Sequence, residues 1–396
     1  MNDLAPAAAE LLVVGAGPVG LFAGLSAARA GIDTTIIDHR YRGFGRGYAA
    51  LLHPSTIRLL VEAGVSERAL AAGRKISRVG LRVDGSERVV LELPAPAVAL
   101  SQSALEQALL AALRNTEVRV LSPCEGGVLR EDGSGVEVRV VRRELVTLGS
   151  PADYSDWQPV ESFPLRASFV IGADGYESRV RSALGIDVMK LGETESFAMF
   201  EVPADPAPSP DIELSFSDSL SAVMLPLAEG RARFGFQLAG GLAEEPTSAR
   251  LSALMHERTP WFEDGLRTVD WSSTIQFERQ LARRFGSGRI WLAGDAAHVT
   301  SPLGAHSMNL GLAEAQDLVR RVAACLHGEA ELASLRQYGS ERQREWHKLL
   351  GYNVKFELLG HAPAWLRAYA PRVAPILPAS GSDLKHLLDQ LGLKVS

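Results

Sequence analysis

Three clusters of glycine and carboxylate stand along the chain, each where a short apolar run stops. The first is Gly15-Ala16-Gly17-Pro18-Val19-Gly20, after the run Leu11–Val14 and before a helical pattern reaching about Ala30. Thr34–Asp38 is the next apolar run, and it ends on an acid. A strand, a glycine turn, a helix and a strand closed by a carboxylate together make a dinucleotide-binding unit. Gly15 permits the tight turn, Gly17 lets the backbone approach a pyrophosphate, and Gly20 lets helix and strand pack closely. The phosphates then meet the helix N-terminus, where free N–H groups and the dipole favour anions. Asp38 is placed to accept hydrogen bonds from an adenosine ribose. This cluster alone does not separate NAD from FAD.

The second cluster, Gly172-Ala173-Asp174-Gly175 with Ser178 and Arg181, closes the run Phe169–Ala173. A carboxylate there suits either of two tasks, accepting ribityl hydroxyls or ordering an Asp-Gly turn. The third, Gly294-Asp295-Ala296-Ala297-His298 followed by Pro302, Gly304, Asn309 and Gly311, puts a carboxylate at a strand end and a glycine-containing loop at a helix start. That helix start is suited to negative charge on a reduced flavin ring.

The elements that must hold these clusters are legible as patterns. Ile290–Ala293 reads as a buried strand and Leu310–Cys325 as a helix. Helices are expected over His53–Ala63 and Ser103–Leu113, with strands over Val118–Leu121 and Val136–Arg142. Ser150–Pro164 reads as a polar, proline-containing excursion. From about Glu193 to Trp271 the pattern becomes short and alternating, with strands over Asp211–Phe216, Ala222–Leu227 and Arg231–Leu238; Ala-Glu-Gly between the last two makes a hairpin. The tail is helical, interrupted at Pro363, Pro371, Pro375 and Pro378. The outer pieces bracket a β-rich insert, so one nucleotide domain is assembled from separated segments.

Composition narrows the class. The 396 residues suit two closely joined domains, and 46% hydrophobic with 22% charged residues is ordinary for a soluble globular enzyme. A formal charge of −6 gives no electrostatic footprint for nucleic acid. Cys124 and Cys325 form neither a metal spacing nor a disulfide framework, so no metal and a reducing, cytoplasmic setting are expected. No run approaches the roughly 20 apolar residues that span a bilayer.

The order and spacing of the three clusters, from about Leu11 to about Ala324, resemble the para-hydroxybenzoate hydroxylase family of flavoprotein monooxygenases. That resemblance implies an α/β fold with an α+β insert: a Rossmann-like FAD-binding domain with a parallel sheet, and a β-sheet substrate domain over the flavin ring. The FAD-binding domain is expected over 1–75, 101–185 and 285–330, the substrate domain over 76–100 and 186–284, and a C-terminal helical segment over 331–396. The implied cofactor-binding residues are Gly15, Gly17, Pro18, Gly20, Asp38, Arg46, Gln102, Asp174, Gly175, Gly294, Asp295, Pro302, Gly304 and Asn309. Asp38 replaces the commoner glutamate, Tyr48 stands where a second arginine often lies, and Ala104 where a basic residue is frequent. Ala305-His306-Ser307 occupies a stretch that is usually glycine-rich, which leaves His306 either a solvent-exposed loop residue or, with Pro302, a group at the reacting ring.

On the substrate sheet, Leu225, Leu227 and Gly235 match the places where the family contacts its small acid. Alternation puts Leu225 and Leu227 on one face. The pocket is expected to be apolar, roomy at Gly235 and without a basic residue to anchor a carboxylate. The implied activity is hydroxylation of an aromatic or quinonoid compound, including the polyketide type, with NADH or NADPH as transient reductant and O₂, through a flavin hydroperoxide. A monomer or homodimer is expected. Two rivals remain: a reductase or dehydrogenase of the same fold, which incorporates no oxygen, and a flavin-holding accessory protein, which turns nothing over.

Overall fold

The computed structural model describes residues 8–39, 51–83, 88–148, 154–204, 209–217, 220–239, 247–259, 268–350 and 354–395. Leu11, Leu12 and Val13 are fully buried because their strand, Ala8–Val14, lies inside a sheet covered on both faces. It pairs in parallel with Thr34–Ile37 on one side and with Tyr154–Gly172 on the other. Arg119–Leu121 and Ile290–Leu292 extend the parallel sheet outward. Helix Pro18–Arg29 packs against helix His306–Leu326, and glycine makes the approach possible: a Cβ on Gly311 would lie 2.9 Å from the Gly294 Cα and 2.8 Å from a Val19 methyl.

A second eight-stranded sheet runs in the order Trp271–Phe277, Glu195–Pro203, Arg231–Leu238, Leu220–Leu227, Ile212–Ser217, Arg74–Val83, Val89–Ala99, Leu51–Leu52. The Ala-Glu-Gly hairpin forms, with Glu229 and Gly230 both at positive φ. Alternation divides the central strands. Phe200, Met224, Phe234 and Phe236 form one apolar layer with Leu251, Leu254 and Met255 of helix Ser248–Arg258. Phe197, Met199 and Leu225 face the opposite way, into a core completed by Leu366, Val373, Ile376 and Leu377. The architecture is therefore α/β, a Rossmann-like parallel sheet beside a separate β-sheet unit.

Several elements differ from expectation. Residues 154–172 form one continuous strand, where a polar excursion and a short strand were expected. Its outer half, residues 154–164, pairs with Arg139–Leu148 in a ribbon with a bulge at Arg142/Arg143. Residues 156–164 are exposed or half-buried, so this part of the long strand carries no apolar alternation to read. Leu51–Leu52 belongs to the second sheet although it lies within the segment assigned to the nucleotide domain. The C-terminal segment is shared between the cores: Tyr338 and Trp346 of helix Ala333–Leu349 join the first, while helices Leu366–Val373 and Gly381–Gln390 and the strand pair Phe356–Leu358/Leu393–Val395 join the second.

Candidate active site

A cleft of about 380 Å³ runs between the two sheets, from Asp38 and the Gly15–Pro18 loop at one end to Met199, Val223 and Leu225 at the other. Ala173, Asp174, Gly175 and Asp295 line its middle, with the segment Val299–Leu303 beside them. All three glycine–carboxylate clusters thus open onto one space.

At the first end, Gly15 sits at φ 109°, and a Cβ there would come within 2.2 Å of the Ala173 carbonyl oxygen. A Cβ on Gly20 would lie 1.9 Å from the Gly15 carbonyl oxygen, so both positions exclude a side chain before any ligand is considered. Gly17 caps helix Pro18–Arg29, with Pro18 at its first position, leaving that N-terminus directed at the cleft. The Asp38 carboxylate is 5% exposed and accepts the Ala16 N–H at 2.6 Å, which ties the acid to the loop it faces. Gln102 lines the cleft while its amide donates to Glu106 at 2.9 Å. Arg46 and Tyr48 lie outside the described residues.

The two central carboxylates differ. Asp174 accepts from the Ser178 hydroxyl at 2.6 Å and from the Arg179 and Val180 N–H groups at 2.7 and 3.1 Å, so it orders the turn and supports Ser178, the N-cap of the short helix that follows. Arg181 then donates to the Ala296 carbonyl at 2.9 Å and joins this turn to the third cluster. Asp295 faces the cleft and has no hydrogen-bond partner among the described residues. Its side chain is exposed to the cleft, and the protein around it, which strips much of its hydration, pushes its carboxyl above the ordinary value, with His298 opposing and Glu314 reinforcing the shift.

Glu314 holds the third cluster in place. The Gly294 N–H (3.1 Å), His298 Nε2–H (2.7 Å) and Trp346 Nε1–H (2.7 Å) converge on its buried carboxylate, and the His298 ring stacks on Trp346 at 3.8 Å. Sequence reasoning passed over this residue. The signal was present: an acid four residues after Leu310 and four before Leu318, on the apolar face of its helix.

Pro302–Gly304 forms a single 3₁₀ turn, Ala305 takes a left-handed conformation (φ 53°), and the helix begins at His306 rather than Leu310. Pro302 lines the cleft, but Gly304 and Asn309 do not. The Asn309 amide instead donates to the Leu51 and Ala305 carbonyls and accepts the His53 N–H. His306 is a solvent-exposed loop residue in neither ring nor backbone: it is fully buried, 5.3 Å from the His53 ring in an edge-to-face pair. His53, which no motif announces, contacts the Gly304 carbonyl at 2.9 Å and Ser380 at 3.3 Å. Burial pushes His53 down to about 4, and burial together with the His53 neighbour pushes His306 down to about 3. Both rings are neutral at pH 7.

At the far end the wall is largely apolar, with Ile212 and Phe277 beside Met199, Val223 and Leu225. Leu225 lies on the cleft, whereas Leu227 and Gly235 do not line it. The expected room at Gly235 is filled: a Cβ there would lie 2.9 Å from the Met199 sulfur and 3.0 Å from a Val223 methyl. A basic side chain is also present, contrary to expectation. Arg233 reaches the lining and donates to Glu201, its Nε at 3.0 Å, with its guanidinium 5.8 Å from the Trp271 ring. Arg233 lies on the strand face opposite Phe234 and shared with Gly235, so its side of the strand was legible, but its reach was not.

The residues present fit FAD. A helix N-terminus with a glycine loop suits a pyrophosphate, the buried Asp38 suits a ribose, and Asp295, without a hydrogen-bond partner among the described residues, suits the hydroxyls of a ribityl chain.

Known proteins resemble this chain in sequence and in fold. A Bacillus subtilis protein described as an uncharacterized aromatic compound monooxygenase is 29% identical over 345 residues, 84% of this chain and 65% of that protein. A rifampicin monooxygenase of Rhodococcus hoagii is 26% identical over 349 residues, again 84% of this chain and 68% of the relative. The chain thus spans about two thirds of the length of these curated relatives. Among solved structures, p-nitrophenol 4-monooxygenase PnpA from Pseudomonas putida has a TM-score of 0.73 at 20% identity, covering 98% of this chain and 97% of its own. A ternary complex of aklavinone-11 hydroxylase with FAD and aklavinone has a TM-score of 0.67 at 25% identity, covering 88% and 68%. The family described as FAD binding domain matches residues 8–351, and the chain belongs to it, as a member of the para-hydroxybenzoate hydroxylase type.

Proposed function

We propose that this protein is an FAD-dependent monooxygenase that hydroxylates an aromatic or quinonoid compound, with NADH or NADPH as transient reductant. The observation that carries the reading is the single cleft that joins a dinucleotide-binding loop to an apolar wall of the second sheet. When bound and reduced, FAD supplies the activation of O₂ that delivers one oxygen atom to an electron-rich ring. The protein supplies binding, orientation and exclusion of water. Gly15, Gly17 and Pro18 receive the pyrophosphate, Asp38 the adenosine ribose and Asp295 the ribityl hydroxyls. Asp174 and Gly175 hold the loop beside them, and Pro302 borders the reacting ring. The wall of Met199, Val223 and Leu225 receives the aromatic substrate and keeps water from the oxygen transfer.

The relatives support this assignment through their descriptions, which name aromatic compounds, rifampicin and aklavinone as what those proteins act on. No helix among the described residues is long and apolar enough to cross a membrane. A cytoplasmic monomer or homodimer is the state in which we expect the protein to work. The test is NAD(P)H oxidation by the FAD-loaded protein against a panel of phenols, quinones and polyketide aromatics, with O₂ uptake and product mass followed together. Stimulated oxidation with a hydroxylated product supports the reading. Stimulated oxidation without a new hydroxyl favours a reductase, and uniformly slow oxidation favours an accessory role.

A further inference from the structure

Met199, Gly235 and Val223 lie in one row across three neighbouring strands, since Gly235 is the register partner of both other residues. All three side-chain positions face the cleft side of the sheet, and Met199 and Val223 line the cleft itself. The central strand presents no side chain at this point, and its neighbours close the gap. The site of a Gly235 Cβ is 2.9 Å from the Met199 sulfur, 3.2 Å from its terminal methyl and 3.0 Å from a Val223 methyl. The thioether therefore lies across the glycine. Its buried position (4% exposed) against backbone leaves it a niche that exists only because residue 235 is glycine.

We propose that Met199 is a specificity-determining residue: a flexible plug, seated over Gly235, that sets how wide an aromatic ring system the cleft accepts. This rests on the reading of the apolar end as the substrate end. Methionine is unbranched, with rotatable bonds that let it follow an irregular gap, and its sulfur makes favourable contacts with ring edges. A narrow ligand leaves the thioether seated. A wider, fused-ring ligand gains contact only as deeply as the thioether can fold down onto the glycine. The depth available at residue 235 is thus shared between Met199 and the ligand. A β-branched or aromatic residue at 199 has no such adjustable fit. Gly235 matters through Met199 and does not itself form the wall.

The test uses the FAD-loaded protein and three phenols of increasing width, phenol, 2-naphthol and 2-hydroxyanthraquinone, titrated against the absorbance of bound flavin without reductant. Met199→Ala is expected to shift preference toward the three-ring probe by tenfold or more relative to phenol. Gly235→Ala, which lifts the thioether into the cleft, is expected to weaken the three-ring probe about tenfold and phenol less than threefold. Met199→Leu, close in volume, is expected to retain FAD and the parent's order of preference, separating a fit effect from damage to the fold. Equal changes for all three probes in both Met199→Ala and Gly235→Ala would overturn the role of Met199 while leaving the aromatic reading intact. Absence of any flavin perturbation by all three probes, in parent and variants alike, would instead contradict the substrate-end reading and this proposal with it.

Discussion

At the cofactor end of the cleft, position is set by backbone: Gly15 and Gly20 admit no Cβ, Asp38 is tied to the Ala16 N–H, and Asp174 caps a turn. At the ring end, position is set by packing: Met199, Val223 and Leu225 line the cleft, and Arg233 is held by Glu201. Backbone constraints of the first kind need particular residue types at particular spacings, and a sequence displays them. Packing of the second kind is satisfied by many combinations of similar volume, so it can vary with the substrate while the cofactor end stays the same. The join between the two ends is made by the buried His53–His306 pair and by the segment Pro375–Ser380 that packs on it.

The sharpest contrast is expected at Glu314. Glu314→Ala removes the acceptor for three donors, including that of His298, in a site only 1% exposed. Breaking a buried, hydrogen-bonded charge network of this kind costs about 3–5 kcal/mol. Chemical denaturation of the variant checks this, and a loss under about 1 kcal/mol would mean that the cofactor end does not depend on that carboxylate.

The join is expected to respond to acid. His53, lowered to about 4, is neutral in the fold at pH values where the unfolded chain, near the ordinary 6.5, already binds a proton. Stability is therefore full above about pH 6.5 and falls as pH drops toward 4, by roughly 3 kcal/mol from this residue. His306, lowered further, acts in the same direction. Denaturation midpoints between pH 7 and 4 should fall steeply in the parent and less in His53→Gln, after correction for the variant's own loss at pH 7.

The two central carboxylates should separate by readout. Asp295→Ala is expected to weaken FAD binding, since charge-assisted hydrogen bonds are worth roughly 1.5–3 kcal/mol each, with little change in stability of the FAD-free protein. Asp174→Ala removes the acceptor for the Ser178 hydroxyl and the first N–H groups of the helix it precedes, and is expected to cost about 0.5–2 kcal/mol of stability, as loss of such N-terminal acceptors does, with a smaller effect on FAD. Fluorescence titration of FAD and thermal melting of the apoprotein measure the two quantities, and interchange of the effects would reverse the assignment. The smallest difference lies at the ring end. Leu225→Ala should change the affinity of an aromatic probe, whereas Leu227→Ala, which does not line the cleft, should leave it within about twofold, a few tenths of a kcal/mol.

The parallel sheet, the glycine loop and the carboxylates Asp38 and Asp295 were legible because each answers a local demand: a positive φ, a close backbone approach, or an acid at a strand end. The outer ribbon over 154–164 was not, since its residues from 156 to 164 are exposed or half-buried and carry no apolar period. His53 and Arg233 escaped notice because their importance comes from partners remote in sequence, Gly304 and Ser380 for one and Glu201 for the other. The space at Gly235 was misjudged for the same reason. A glycine in one strand says nothing about the side chain that a neighbouring strand lays over it.

The most direct test of an FAD site joined to a ring pocket is the origin of the product oxygen. The FAD-loaded protein is given NAD(P)H and the panel compound that most stimulates its oxidation, under ¹⁸O₂ in ordinary water, and the product is weighed by mass spectrometry. One ¹⁸O atom in the new hydroxyl, with none acquired from water, is the expected result. NAD(P)H consumed with hydrogen peroxide as the only oxygen product, across the whole panel, would contradict it.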